Sequence, residues 1–111
     1  MICKLAKIKD IEEGVWYEYS LQQEDKLLSI MLIMKKGEYT AYKNFCPHQG
    51  RRMDYAAGQF LTTPEGNIVC PAHGAEFKPD DGLCINGPCL GQSLETIYIQ
   101  LNEKDIFAII K

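Results

Sequence analysis

The chain has 111 residues, of which 46% are hydrophobic and 24% charged, as expected for one globular domain over residues 1–111. Its net charge of −3 argues against a nucleic-acid partner, because phosphate binding needs a basic face. The longest apolar run, Leu27–Met34, is too short to cross a bilayer, which takes ~20 helical residues. The N-terminus also has no signal-peptide pattern. We therefore expect a cytoplasmic protein with no membrane partner.

Short apolar segments separated by turn residues predict β-strands along most of the chain. Asp10–Glu13 is too short for more than one helical turn. Leu27–Met34 fits a buried helix on periodicity alone, but its length and its β-type neighbours favour a strand. The predicted strands are Leu27–Lys35, Tyr39–Phe45, Asn67–Cys70, Glu95–Leu101 and Ile106–Ile110, the last two forming a closing hairpin. The expected fold is all-β, a sandwich or barrel-like packing of antiparallel strands.

Both histidines of the chain lie beside cysteines in two short motifs. The motifs are Cys46-Pro47-His48-Gln49-Gly50 and Cys70-Pro71-Ala72-His73-Gly74. Proline fixes φ and glycine permits positive φ, so each motif can turn tightly and direct a thiolate and an imidazole at one centre. In a reducing compartment, cysteines more often bind metal or perform redox chemistry than form disulfides. The motifs therefore predict a two-loop metal site with Cys46, His48, Cys70 and His73 as its ligands.

Two thiolates and two imidazoles suit either a structural zinc ion or a [2Fe–2S] cluster of the Rieske type. Zinc fingers usually place both cysteines on one arm and both histidines on the other. Here each arm carries one of each, which favours a cluster whose two irons have different ligands. A zinc-stabilised binding module without a redox role remains the alternative.

The two motifs, continued through Ala75-Glu76-Phe77, resemble those of Rieske-type [2Fe–2S] ferredoxins and ferredoxin subunits. The Asp81-Gly82 turn, the Gly87-Pro88 loop and the closing hairpin extend the resemblance over most of the chain. It implies stacked antiparallel sheets with the cluster held at a tip by two loops. It also implies that Cys46 and Cys70 bind the buried iron and that His48 and His73 bind the outer one.

The chain departs from respiratory-complex Rieske proteins at four positions. Arg51 and Ala72 stand where those proteins have two disulfide-bonded cysteines. Ala75 and Phe77 stand where they have a serine and a tyrosine whose hydroxyls donate to the cluster sulfurs. Fewer donors predict a low potential, towards the lower end of the roughly −150 to +300 mV Rieske range. The 21 residues between His48 and Cys70 exceed the usual ferredoxin spacing, with the excess around Tyr55–Pro64.

The resemblance implies a single-electron carrier and not an enzyme by itself. No histidine is left for a mononuclear iron site, and the sequence has no glycine-rich nucleotide loop. The implied partners are a flavin reductase as electron donor and an oxygenase or other reductase as acceptor. One alternative is a small subunit of a larger redox enzyme, such as a nitrite-reductase-like assembly. A redox sensor is another, although no DNA-binding element accompanies the motifs.

Several residues near the motifs have two interpretations each. Cys84 and Cys89 are expected to be small buried residues, with a disulfide or a second metal site as the minority interpretation. Arg51 and Arg52 either form a solvated pair or ease reduction and dock an acidic partner. Met53 is expected to pack in the core beneath the metal site.

Overall fold

The computed structural model describes residues 1–48 and 50–110. Gln49, which belongs to the first ligand motif, and Lys111 lie outside the described residues. The helical content of the described part is a single 3₁₀ turn at Ile8–Asp10, and it has no helix long and apolar enough to span a membrane. In chain order the strands are β1 (Ile2–Lys7), β2 (Trp16–Gln23), β3 (Lys26–Lys35), β4 (Glu38–Lys43), β5 (Asp54–Ala56), β6 (Gln59–Thr62), β7 (Ile68–Val69), β8 (Glu76–Phe77), β9 (Cys84–Asn86), β10 (Thr96–Leu101) and β11 (Asp105–Ile109).

These strands form two sheets, and every neighbouring pair is antiparallel, which confirms the predicted all-β fold. The larger sheet has the order β1-β11-β10-β4-β3-β2, and its edge strands β1 and β2 touch each other. The smaller sheet has the order β5-β6-β7-β8-β9 and comes entirely from the middle of the chain. Both ligand motifs lie in this middle part, one just before the smaller sheet and one within it.

Strand β3 explains why the longest apolar run does not alternate with polar residues. Successive side chains of a strand point to opposite faces of the sheet. Met31 and Ile33 lie in a core that also contains the motif cysteines, whereas Ile30 and Leu32 lie in a second core on the other face. Because both faces of β3 are covered, both sets of side chains are apolar.

The predicted strands are confirmed with small shifts at their ends. The closing hairpin pairs β10 with β11, and Ile97 is buried while Tyr98 is exposed, as the alternation predicts. The strand predicted over Tyr39–Phe45 ends at Lys43, because the chain leaves the sheet there to form the first ligand loop. Phe45 lies outside the strand and is 54% exposed.

Tyr42 of β4 links the larger sheet to the segment before β9 by a hydrogen bond. Its side chain is fully buried, and its hydroxyl donates a hydrogen bond of 2.8 Å to the carbonyl of Pro79. Burial, with a smaller contribution from Asp81, raises the pKa of Tyr42 above its ordinary value. The phenol therefore keeps its proton and remains a donor. This contact fixes where the chain turns at Gly82 before it reaches the site.

Candidate metal centre

The four predicted ligands lie on two loops, whose histidine rings are neighbours and whose cysteines belong to one core. Cys46 and Cys70 are 1% and 2% exposed and belong to the same core. His48 is half-buried and His73 is exposed. The centroids of the two imidazole rings are 5.0 Å apart, and the rings are nearly perpendicular. The thiols thus lie deep and the imidazoles lie towards the surface.

The two ligand loops share one backbone hydrogen-bond pattern, although their histidines are spaced differently. In each loop the cysteine N–H donates to the carbonyl five residues later, at 2.6 Å from Cys46 to Arg51 and 2.7 Å from Cys70 to Ala75. In each loop the glycine four residues after the cysteine donates back to the cysteine carbonyl, at 2.8 and 2.9 Å. Both glycines have φ near +70°, a conformation that other residues rarely adopt. The backbones of the two loops are therefore closed by the same hydrogen bonds and the same glycine conformation.

A third loop, residues 87–91, packs against the second ligand loop. An added Cβ on Gly87 would lie 2.8 Å from the Cα of Ala75, so the two backbones are in direct contact. Cys89 lies in this loop and Cys84 in β9, and each is 1% exposed and free of disulfide bonds. The Cys89 thiol hydrogen-bonds the sulfur of Cys84 at 3.3 Å. Their predicted burial is confirmed, and the structure contains no disulfide between them. Burial, followed by the neighbouring thiols of Cys84 and Cys46, raises the pKa of Cys89 to about 12.

A polar network that the sequence did not predict supports the base of the first ligand loop. Asn44 lies just before the loop, and its side-chain oxygen accepts a 2.7 Å hydrogen bond from the N–H of Met53, just after it. Asp54 follows, with its side chain 1% exposed. Burial alone would raise the pKa of Asp54, but hydrogen bonds from Arg52, Asn44 and the N–H of Gly58 outweigh it and hold the pKa at about 2. The carboxylate is therefore charged and fully paired.

The two adjacent arginines have different roles in the structure. Arg52 makes two hydrogen bonds of 2.8 Å to Asp54 and lies 3.6 Å from Glu18, so its charge is already neutralised. Arg51 is exposed, and its carbonyl closes the first ligand loop. The Arg52 side chain is nevertheless 51% exposed, so the interpretation of the two arginines as a solvated or docking pair stays a prediction. Met53, between this pair and Asp54, is fully buried in the core with the motif cysteines, as predicted.

The donor set suits a redox metal group better than a single ion. Thiolates and imidazoles are the donors that iron–sulfur clusters of the Rieske type use. A zinc ion needs four donors that converge on one point. The two thiols are buried and the two imidazoles lie nearer the surface, an arrangement that fits a cluster with one thiolate-bound and one imidazole-bound iron.

An all-β fold with two equivalent cysteine–histidine loops defines a class of iron–sulfur domain. The family model of the Rieske [2Fe-2S] domain matches residues 1–103. The chain belongs to this family, whose members bind a [2Fe–2S] cluster. The comparison with curated proteins found no match.

Solved structures with a similar fold include both ferredoxins and oxygenases. The ferredoxin of carbazole 1,9a-dioxygenase from Nocardioides aromaticivorans IC177 matches with a TM-score of 0.75 and 18% identity, over 100% of this chain and 99% of its own. The terminal oxygenase of carbazole 1,9a-dioxygenase from Novosphingobium sp. KA1 matches with a TM-score of 0.80 and 16% identity, over 98% of this chain and 29% of its own. A chain in the complex of reduced oxygenase and oxidized ferredoxin in carbazole 1,9a-dioxygenase matches with a TM-score of 0.72 and 17% identity. The match covers 96% of this chain and 91% of that one.

Proposed function

We propose that this protein is a single-electron carrier, one domain over residues 1–111, in which Cys46 and Cys70 bind one iron of the cluster and His48 and His73 bind the other. The observation that carries the proposal is the pair of equivalent loops, each presenting a buried thiol and a more exposed imidazole. When bound, a [2Fe–2S] cluster supplies one-electron redox chemistry. The core around the two cysteines excludes water, and the loops hold the ligands in place.

The acceptor proposed for this carrier is an oxygenase, and the proposed donor is a flavin reductase, all in the cytoplasm. The similarity to a complete ferredoxin of a dioxygenase system, over 99% of that chain, supports a separate carrier. The same fold also occurs as 29% of an oxygenase chain, where it is part of a larger protein. A terminal oxygenase purified with its own reductase provides the test. The carrier proposal requires that product formation depend on this protein, and independence of it would refute the oxygenase partner.

The cluster is proposed to have a low potential because the second ligand loop lacks hydroxyl donors. Ala75 and Phe77 are both fully buried beside the second loop and have no polar side-chain atom. Donors near the sulfurs stabilise the added electron, so their absence lowers the potential. Ala75→Ser is expected to raise the potential, and Ala72→Ser, in the same loop, is the matched control. A wild-type potential well above about +100 mV would contradict the proposal.

The ligand assignment is tested on protein purified anaerobically, with iron and zinc measured on the same sample. The expected result is two irons per chain, an absorption that bleaches with dithionite and a rhombic EPR signal of low average g. Cys46→Ser and His73→Ala should lower the iron content, whereas Cys3→Ser, on β1, should not change it. A colourless protein with one zinc per chain would refute the carrier and establish the zinc-stabilised module.

A further inference from the structure

Two large apolar side chains are exposed beside the candidate centre. Phe45 precedes Cys46 and is 54% exposed. Its ring lies against the end of the first ligand loop, since a Cβ added to Gly50 would lie 2.8 Å from a carbon of that ring. Leu90, in the third loop, is 67% exposed, although the preceding Cys89 is buried. Removing such side chains from water is favourable, so a surface that exposes two of them beside one site is suited to binding.

Leu90 is held beside the second ligand loop by the backbone. Its N–H donates a hydrogen bond of 3.3 Å to the carbonyl of Gly87. The backbone of Gly87 is in direct contact with that of Ala75, which stands two residues after His73. His73 is itself exposed. Phe45 and Leu90 therefore border the histidine pair from two different loops.

Charged residues are scarce in the loops that surround the histidines. Arg51 is the only one in segments 45–51, 70–74 and 87–91, whereas 24% of the whole chain is charged. None of the 15 acidic residues falls in these segments. The centres of protein interfaces differ from the remaining surface in the same way, with few charged residues and with aromatic residues and arginine enriched. The composition of the loops is therefore that of an interface.

This lack of charge determines which partner fits the surface. A charged group of the partner that came to lie on Phe45 or Leu90 would lose its hydration and gain no opposite charge. An apolar partner face would bury both side chains without that loss. Arg51, at the end of the first ligand loop, is the one cation that these segments offer to a carboxylate. The loops therefore suit a partner whose contact face is apolar better than one held by paired charges.

We propose that Phe45 and Leu90 form a docking surface for a redox partner whose own contact face is apolar. The inference rests on the proposed function, because it requires a partner that exchanges electrons with this centre. It adds the chemistry of that partner. Contact is stabilised mainly by the burial of apolar side chains, so it persists when salt screens the charges of both proteins.

Electron self-exchange between oxidised and reduced copies of the holoprotein tests the surface, with a second copy of the chain as the probe. The second copy presents an apolar face of the same kind. The reaction has no driving force, so a shift in reduction potential does not affect the comparison between variants. The broadening of NMR signals in anaerobic mixtures of the two oxidation states gives the second-order rate constant. We choose about 1 M salt, where charges more than roughly 3 Å apart are screened.

Two truncations are compared with a control at the other end of the larger sheet. Leu90→Ala and Phe45→Ala should each lower the rate constant at least about fivefold. Leu101→Ala is the control and should change it by less than about twofold. Leu101 is also an exposed leucine, at 45%, but it ends β10 on the side away from Thr96, which pairs with Tyr42 near the first ligand loop. Leu90→Ala decides the test, because its side chain is the more exposed of the two and supports no ligand loop.

Each result separates this inference from the proposed function. Leu90→Ala that exchanges electrons as fast as Leu101→Ala, with two irons per chain in both, would overturn the inference and leave the carrier standing. A wild-type protein that binds no iron would overturn the carrier itself.

The oxygenase assay proposed above provides a second measurement. Leu90→Ala should need about fivefold more protein than wild type for half-maximal product formation. An unchanged requirement would contradict the docking surface. Product formation that does not depend on this protein refutes the oxygenase partner, and the self-exchange rates then decide the inference alone.

Discussion

Replacing Arg52 by methionine removes the cation that pairs with a buried carboxylate beneath the first ligand loop. The Asp54 side chain is 1% exposed and accepts two hydrogen bonds of 2.8 Å from Arg52. Methionine keeps an aliphatic side chain of similar length and loses both donors. The adjacent Arg51 is exposed and has no ion pair among the described residues, so Arg51→Met is a matched control.

The size of the effect follows from the pKa of Asp54. This carboxyl has a pKa of about 2, against an ordinary value of 3.8, and the difference is worth roughly 2 kcal/mol of folding free energy at neutral pH. Asn44 and the N–H of Gly58 also contribute and remain in the variant. We therefore expect Arg52→Met to lower the free energy of unfolding by about 1 to 2 kcal/mol. Arg51→Met should change it by less than about 0.5 kcal/mol.

Urea unfolding of the holoprotein at pH 7, followed by far-ultraviolet circular dichroism and by the fluorescence of Trp16, measures both variants. Coincident transitions from the two probes justify a two-state treatment. The iron content should also fall in Arg52→Met, because Asp54 and Asn44 together support the loop that carries Cys46. Equal unfolding free energies for the two variants would refute this account of the network.

The pH dependence follows from the same shift, with the sign set by proton binding. Between about pH 4 and pH 2 the unfolded chain binds more protons at Asp54 than the folded chain does, so stability rises with pH in this window. The contribution is complete above about pH 4 and disappears as the pH falls through about 2. The difference in unfolding free energy between wild type and Asp54→Asn should therefore shrink as the pH falls from about 4 to about 2. A difference that stays constant over this range would contradict the assigned pKa.

Two glycine replacements test close contacts, each against a glycine of similar φ with open space. Gly82→Ala should lower the free energy of unfolding in urea by about 1 to 3 kcal/mol more than Gly58→Ala does. Both glycines have φ +73°, but only a Cβ on Gly82 would meet the buried ring of Tyr42, at 2.8 Å. Equal losses of stability would refute this contact. Gly87→Ala should lower the iron content by displacing the third loop from the second ligand loop, whereas Gly91→Ala should not; equal iron contents would show that the third loop does not support the site.

The ligand loops could be predicted from sequence because their signal is local. Cysteine, proline, histidine and glycine within five residues define both the donors and the turn, and the structure adds only the shared hydrogen-bond pattern. The support of the first loop could not be predicted in this way. Asn44 reaches Met53 across the loop, and Asp54 is buried by surrounding residues, so both contacts depend on tertiary packing. The sequence signal available for the ion pair was Asp54, an acidic residue two positions after Arg52.

Most of the smaller sheet was also beyond sequence prediction, for a physical reason. Strand β7 was predicted within Asn67–Cys70, but β8 has two residues, and β5 and β9 have three, so none of these three shows a period of two for long enough to be recognised. The segment around Tyr55–Pro64, expected only to lengthen the connection, forms the hairpin of β5 and β6. Sequence patterns identify strands when one face packs along several residues, whereas these strands are specified by their neighbours.

The different histidine spacing of the two loops has a structural consequence. Both loops place glycine four residues after cysteine, so the backbone path is the same in each. Within that common path His48 stands two residues after its cysteine and is half-buried, whereas His73 stands three residues after its cysteine and is exposed. The two imidazoles are therefore not equivalent towards solvent. In the proposed carrier, we expect the more exposed His73 to be the ligand nearer to a bound partner, so that the one-residue offset makes it the first side chain on the path of the electron.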